Sequence, residues 1–162
     1  MGAVGVGLLA GAGWSQWPGW SGSAPQATSV ATYAQLLDRR GVLPEAGVRA
    51  HFNFCHTGGG YNCVVDGDTI WLKGVKIRIA DIDAPETHDP KCASELQRGN
   101  RATKRLLQLV NSGTVTVRSI DRDEDRYGRK LRIVMVDGRP VGDTLVGEGL
   151  ARPYGGGRRP WC

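Results

Sequence analysis

Between Asn62 and Ala80 apolar and polar residues alternate as they do in strands, through Val64 and Val65, then Ile70 and Leu72, then Val75, Ile77 and Ile79. A period of two turns one face of each run toward a core, and Gly74 marks the turn between the second run and the third. The period then changes. From Ser94 to Val110 the residues Ala102, Leu106, Leu109 and Val110 share one side of a helix, with Ser94 and Gln97 in capping-box spacing at its start. Residues 111–113 end it. Strand character returns over Thr114–Ile120 through Val115 and Val117, and over Lys130–Val136 through Leu131, Ile133 and Met135. The loop DRDEDRYGR joins these two runs. Val141, Leu145 and Val146 then fall at helical spacing within Val141–Leu150.

Three strands, a helix, two strands and a helix predict an α+β, mainly β fold. The order is compatible with a five-stranded OB-type barrel carrying two to three helices, an architecture whose open face accepts oligonucleotides. This domain is expected over residues 49–162. Before it, Gly2–Gly13 is an apolar run about as long as a signal-peptide core, with no Lys or Arg ahead of it, and Trp14, Trp17 and Trp20 follow. It is too short to span a bilayer. With the small, polar linker SGSAPQAT it makes residues 1–28 a leader or truncated membrane anchor, and residues 29–48 a weakly structured extension with one short helix near Val30–Arg40.

Charge adds a partner class. The 21 Lys and Arg outnumber the 16 Asp and Glu, for a net +5. The first 48 residues hold only Asp38, Arg39, Arg40 and Glu45, so the excess lies in the later domain. Such a surface suits a polyanion, because Lys and Arg contacts to phosphate supply most sequence-independent nucleic-acid affinity. The 40% hydrophobic and 23% charged fractions exclude wholesale disorder and a multi-pass membrane protein.

Four cysteines, Cys55, Cys63, Cys92 and Cys162, form an even set without CxxC spacing. Two disulfides are expected, pairing Cys55 with Cys63 and Cys92 with Cys162. The alternatives are free thiols or a zinc site recruiting His56 or His88. Disulfides place the chain in an oxidising compartment, secreted or periplasmic.

The candidate chemistry begins at VVDGDTI. There Asp66 and Asp68 stand two apart on a predicted strand, hence on one face, with Gly67 allowing close approach. Hard carboxylate oxygens are what calcium requires, and a second contribution must arrive from elsewhere. IADIDAPE offers Asp81, Asp83 and Glu86. Taken singly, each motif also reads as a turn followed by a solvated acidic loop. Asp121, Asp123 and Asp125 suggest an EF-hand, but its sixth position is Arg126 where glycine is needed and its twelfth is Arg132 where glutamate is needed. His51, His56 and His88 match no motif of their own.

VVDGDTI, RIADIDAPET, DRYGR and GDTLVGEGLA stand in the order and spacing of the staphylococcal nuclease (thermonuclease) family, and the resemblance runs from about Asn62 to Ala151. It implies an OB-type barrel, a single Ca2+ ion, and hydrolysis of phosphodiester bonds in DNA and RNA toward a 5′-hydroxyl and a 3′-phosphate. By the same resemblance Asp68 and Asp83 would ligate calcium. The backbone carbonyl of Ala84 would add a neutral ligand where many relatives carry threonine, and a main-chain contact survives that change. Asp66 would support the turn.

The resemblance makes Glu86 the base that takes a proton from attacking water, presented by Pro85 and kept ionised by neighbouring guanidinium groups, with Asp83 opposing unless calcium neutralises it. Arg78 and Arg129 would grip the phosphate and stabilise the charge that builds on it. Arg126 and Tyr127, and more weakly Tyr154, would line the nucleotide site. After Ala151 the ending RPYGGGRRPWC departs from the family pattern. The expected partners are DNA and RNA, single-stranded by preference, and a monomer is expected. A second reading from another class is a catalytically inactive nucleic-acid-binding OB-fold module. Survival of Asp68, Asp83, Glu86, Arg78 and Arg129 together favours the enzyme.

Overall fold

A computed structural model describes residues 47–56, 59–155, 157 and 159–162. The apolar leader, the linker and the short helix expected near residues 30–40 lie outside the described residues. Residues 44–162 form one compact unit.

The three expected strands occur as β2 (Cys63–Asp66), β3 (Thr69–Leu72) and β4 (Val75–Ile79), preceded by a two-residue β1 (Asn53–Phe54). The β3–β4 turn uses Lys73 at φ 50° and Gly74 at φ +78°, two left-handed residues of the kind that let a tight hairpin follow the strand twist. A two-residue β5 (Ile82–Asp83) leads to helix α1 (Ala93–Ser112). Strands β6 (Val115–Glu124) and β7 (Lys130–Val136) make the long hairpin, then β8 (Arg139–Pro140), helix α2 (Val141–Gly147) and β9 (Arg152–Pro153) complete the order.

The main sheet is mixed. Its ladders run β1-β2-β3-β4-β7-β6, with β8 on β7, while β5 pairs with β9 in a separate small sheet. The pairing of β4 with β7 is parallel and sets Arg78 opposite Leu131. This joint brings the first motif segment beside the second.

The core forms where the inward residues of the sheet meet the apolar stripes of both helices. Val64, Ile70, Ile77 and Ile79 from the sheet, Ala102, Leu106 and Val110 from α1, and Val141 and Leu145 from α2 are all buried in one cluster. Each large aliphatic side chain so buried contributes roughly 1.5–3 kcal/mol. The spacing of Ala102, Leu106 and Val110 every four residues is why α1 lies flat on the sheet.

Two local expectations are corrected. Helix α1 takes Cys92 as its N-cap, with no side-chain capping bond, so the Ser94–Gln97 capping box does not form; Ser94 lies inside the first turn. Asp66 and Asp68 do not share a strand. Asp66 ends β2 and Asp68 sits in the turn before β3, where the Asp68 backbone N–H donates to Asp66 Oδ1 at 3.1 Å.

Candidate active site

The turn between β2 and β3 is the centre of the site. The Thr69 hydroxyl donates to Asp68 Oδ1 at 2.8 Å, and an Arg78 amino group reaches Asp68 Oδ2 at 3.1 Å. Arg78 is delivered by the β3–β4 register, which sets it opposite Thr69. From the other side Arg129 Nη1 donates to the Thr69 hydroxyl at 3.4 Å. Two guanidinium groups from distant segments therefore converge on one turn.

Gly67 explains why this turn meets the second acidic segment. A Cβ built there would come within 2.8 Å of both the Ala84 and Ala102 methyls, so its hydrogen lets the turn pack against Ala84 and α1. Asp83 and Ala84 follow in β5 and the residue after it. Glu86 lies just beyond, exposed to solvent. Its loop is drawn to α1 by the buried Glu95, which accepts from the Lys91 backbone N–H at 2.7 Å and, at a long 3.5 Å, from that of Glu86. Gly99 permits the approach, since a Cβ there would meet the Pro85 carbonyl oxygen at 2.7 Å.

Electrostatically the site is short of positive charge. Burial, the neighbouring Asp66 carboxylate and a hydrogen bond with it push the Asp68 carboxyl up to about 7, against the lowering effects of Arg78 and Thr69. Glu86 is raised as well, first by burial, then by Asp68, Glu95 and Asp83, with Arg129 opposing. Without calcium, three carboxylates and partial desolvation outweigh the one guanidinium that lowers it. Asp68 and Glu86, two hard carboxylates whose charged forms are disfavoured, are of the kind that a divalent cation stabilises by supplying positive charge. Asp68, Asp83 and the Ala84 carbonyl are the groups that would hold it.

Among the described residues, only Cys92, Glu95 and Cys162 bring three side-chain ligand atoms within 4.8 Å of one another. Both of those sulfurs are committed elsewhere. Cys92 and Cys162 stand 2.12 Å apart and Cys55 and Cys63 2.01 Å apart, each at bonding distance.

The second segment is organised by a residue that motif reasoning passed over. Asp125 Oδ2 accepts from Arg129 Nε at 2.7 Å, and its Oδ1 accepts the backbone N–H groups of Tyr127 and Arg129 at 2.9 and 3.0 Å. Burial raises the Asp125 carboxyl, but these bonds and the Arg129 charge prevail and leave it below the ordinary carboxylate range. Its place within an apparent EF-hand string concealed this role. A carboxylate four residues before an arginine in a glycine-containing turn was the available signal.

The aromatic candidates flank the arginines. The exposed Tyr127 ring lies 5.5 Å from the Arg129 guanidinium and 4.7 Å from that of Arg126, whose amino group also reaches the Tyr127 hydroxyl at 2.5 Å. Tyr154 stands in the same relation to Arg78, at 5.1 Å. Its position follows from the pairing of β9 with β5, which sets Arg152 opposite Asp83, and from the Tyr154 N–H donating to the Asp81 carbonyl at 2.8 Å.

Comparison with known proteins agrees with this geometry. The family described as staphylococcal nuclease homologue matches residues 76–159. Endonuclease YncB of Bacillus subtilis (strain 168) is 42% identical over 93 residues, covering 54% of this chain and 44% of its own. The SPbeta prophage-derived endonuclease YokF of the same organism is 43% identical over 93 residues, covering 54% and 31%. An uncharacterized endonuclease of Escherichia coli O157:H7 is 38% identical over 96 residues, covering 56% and 57%. The chain thus spans about a third to a little over half the length of these relatives. With the family match running over half of the chain and through β4, the Asp83–Glu86 loop and the Arg129 turn, this chain belongs to the staphylococcal nuclease homologue family.

Proposed function

We propose that this chain is a calcium-dependent endonuclease that hydrolyses phosphodiester bonds of DNA and RNA with little sequence preference. The observation that carries the reading is the convergence of Arg78 and Arg129 on the Asp68–Thr69 turn, within electrostatic reach of Glu86. Calcium held by Asp68, Asp83 and the Ala84 carbonyl supplies countercharge and Lewis acidity. Arg78 and Arg129 clamp the scissile phosphate and stabilise the negative charge that grows on its oxygens. Glu86, open to water, takes the proton from the attacking molecule. Products carry a 5′-hydroxyl and a 3′-phosphate.

Tyr127, Arg126 and Tyr154 are the nucleotide contacts. Stacking on exposed rings favours single strands, since every base has a face to offer and paired bases do not. The protein acts as a monomer, in the secreted or periplasmic space, with both cysteine pairs oxidised. The domain is a closed five-stranded barrel. Closure is supported by the segment before β2, which bridges Val48 to Val115 on β6 and pairs Asn53–Phe54 with β2, so that it touches both ends of the open ladder path.

The test is cleavage of single-stranded DNA by the purified chain with calcium or with a chelator, beside Glu86→Gln and Arg129→Ala. Calcium-dependent cutting that falls by about a hundredfold or more in each variant is expected. Cutting in chelator, or full activity in both variants, overturns the mechanism. Binding without cleavage by the native chain supports the inactive binding module instead.

A further inference from the structure

Beside the site just described, a cavity of about 300 Å³ opens between the β2–β3–β4 sheet and the Cys55–Cys63 loop, lined by Val65, Trp71, Lys76, His56, His88 and Gly59. Its two central residues face each other across the ladder, Trp71 opposite Lys76. Ile70 and Ile77, the pair between Trp71–Lys76 and Thr69–Arg78, point into the core. Both flanking pairs therefore project from the opposite face of the sheet, where Thr69 is buried and Trp71, Lys76 and Arg78 are half-buried. Lys76 stands two residues from Arg78 along β4, about 6.6 Å, with its ammonium on the same side as the phosphate-binding guanidinium.

That spacing is close to the separation of successive phosphates along an extended single strand. A strand whose scissile phosphate lies between Arg78 and Arg129 and which continues along β4 meets Lys76 next, with an indole beside it. Lys76 pairs with no carboxylate among the described residues, unlike Arg78 and Arg129. His88 ties the cavity to the active-site loop, only two residues beyond Glu86. The disulfide-closed loop forms the far wall, where Gly59, at φ +103°, has its Cβ position 3.2 Å from the Trp71 ring. Any side chain there would press on the indole, so the wall is shaped to leave the ring in place. An aromatic face, a cation and two imidazoles around a cavity, with the cation two residues from Arg78 on the same strand, match the chemistry of a nucleotide: a base to stack and an anion to neutralise.

We propose that Trp71 and Lys76 form a second nucleotide subsite, which holds the base and phosphate adjoining the scissile bond of a single-stranded substrate. The proposal rests on the reading of the Arg78–Arg129 turn as a phosphodiester site. Its consequence is a length dependence. Substrates long enough to cross Lys76 gain affinity that shorter ones lack, and the gain is independent of base identity.

The experiment measures dissociation constants of oligothymidylates two to six nucleotides long, in calcium, for the full chain carrying Glu86→Gln to prevent cutting. The same series follows with Trp71→Ala, Trp71→Phe and Lys76→Gln added. Trp71→Ala should erase about tenfold of the affinity gained with length, and Trp71→Phe, which keeps a stacking face, should restore most of it. Lys76→Gln should reduce the slope of log affinity against log salt by about 0.7, one phosphate contact on a single strand. A 5-iodouracil placed beside the scissile position should photocross-link to Trp71. A length dependence unchanged in Trp71→Ala, or a Trp71→Phe chain as weak as Trp71→Ala, overturns the subsite while leaving the nuclease reading intact. Failure of the Glu86→Gln chain to bind at any length overturns both.

Discussion

Replacing Asp125 with asparagine tests whether the second half of the site depends on one carboxylate. Asparagine is nearly isosteric and keeps an oxygen for the backbone N–H groups of Tyr127 and Arg129, now 2.9 and 3.0 Å from Oδ1. At Oδ2 it substitutes an N–H donor that faces Arg129 Nε, itself a donor at 2.7 Å, so the contact turns repulsive and the guanidinium must leave. The Asp125 side chain is 8% exposed and that of Arg129 23%. The pair is therefore worth more than a surface ion pair and less than a buried one, and a loss of about 2 kcal/mol is expected in urea unfolding. Catalysis should suffer more than stability. Arg129 no longer aimed at Thr69 and the phosphate amounts to loss of a transition-state donor, and kcat should fall by about a hundredfold with a smaller change in KM. Because Asp125 acts through Arg129, adding Asp125→Asn to an Arg129→Ala chain should cost almost nothing further in kcat. Equal losses in the native and Arg129→Ala backgrounds would refute the reasoning, as would native kcat in Asp125→Asn. The depressed Asp125 carboxyl adds a sign: its stabilisation is present above the ordinary carboxylate range and is lost as pH falls through its lowered folded value.

Two further expectations concern conditions. Asp68, pushed up to about 7 from 3.8, and the raised Glu86 disfavour the folded, calcium-free chain once ionised. This penalty is absent below pH 4, grows through the interval to pH 7 and is complete above it. Calcium should therefore raise the melting temperature much more at pH 8 than at pH 5, and Asp68→Asn should remove most of that difference in differential scanning calorimetry. The cysteine pairs enclose separations of 70 and 8 residues. By loop-closure entropy, Cys92→Ser with Cys162→Ser should cost about 4 kcal/mol in denaturant unfolding and the Cys55, Cys63 double serine variant about 2.5 kcal/mol; the reverse order would show that the long pairing does not constrain the unfolded chain.

Much of this protein could be read without its coordinates. The alternation at Val64, Ile70, Leu72, Ile77 and Ile79 and the stripe at Ala102, Leu106 and Val110 reflect burial of one face, which a chain must encode locally because each element has only its own residues to offer. The element order and the motif blocks followed from the same local signals. What failed locally was competition between nearby partners. The capping box at Ser94 gave way because the helix begins at Ala93 with Cys92 as its N-cap, which puts Ser94 inside the first turn. Asp66 and Asp68 left a common strand face because Asp66 receives the Asp68 N–H and bends the chain.

By itself, then, the sequence determined the five principal strands, both helices and their inward faces, while the two-residue strands β1, β5, β8 and β9 and the extension of β6 to Glu124 came from pairing with other segments. The sequence also held the residue types available for phosphate chemistry. Tertiary structure decided which of those residues meet. The parallel pairing of β4 with β7 brings Arg78 and Arg129 to the Asp68–Thr69 turn, and Gly67 lets that turn pack on Ala84, two residues before Glu86. The same folding makes Asp125 a holder of Arg129, surrounds Glu86 with carboxylates that raise it, and sets the Trp71–Lys76 pair two positions from Thr69–Arg78. The physical reason is range. Backbone preference and one-sided burial act over a few residues, whereas charge, desolvation and convergence depend on groups tens of residues apart that no local pattern records.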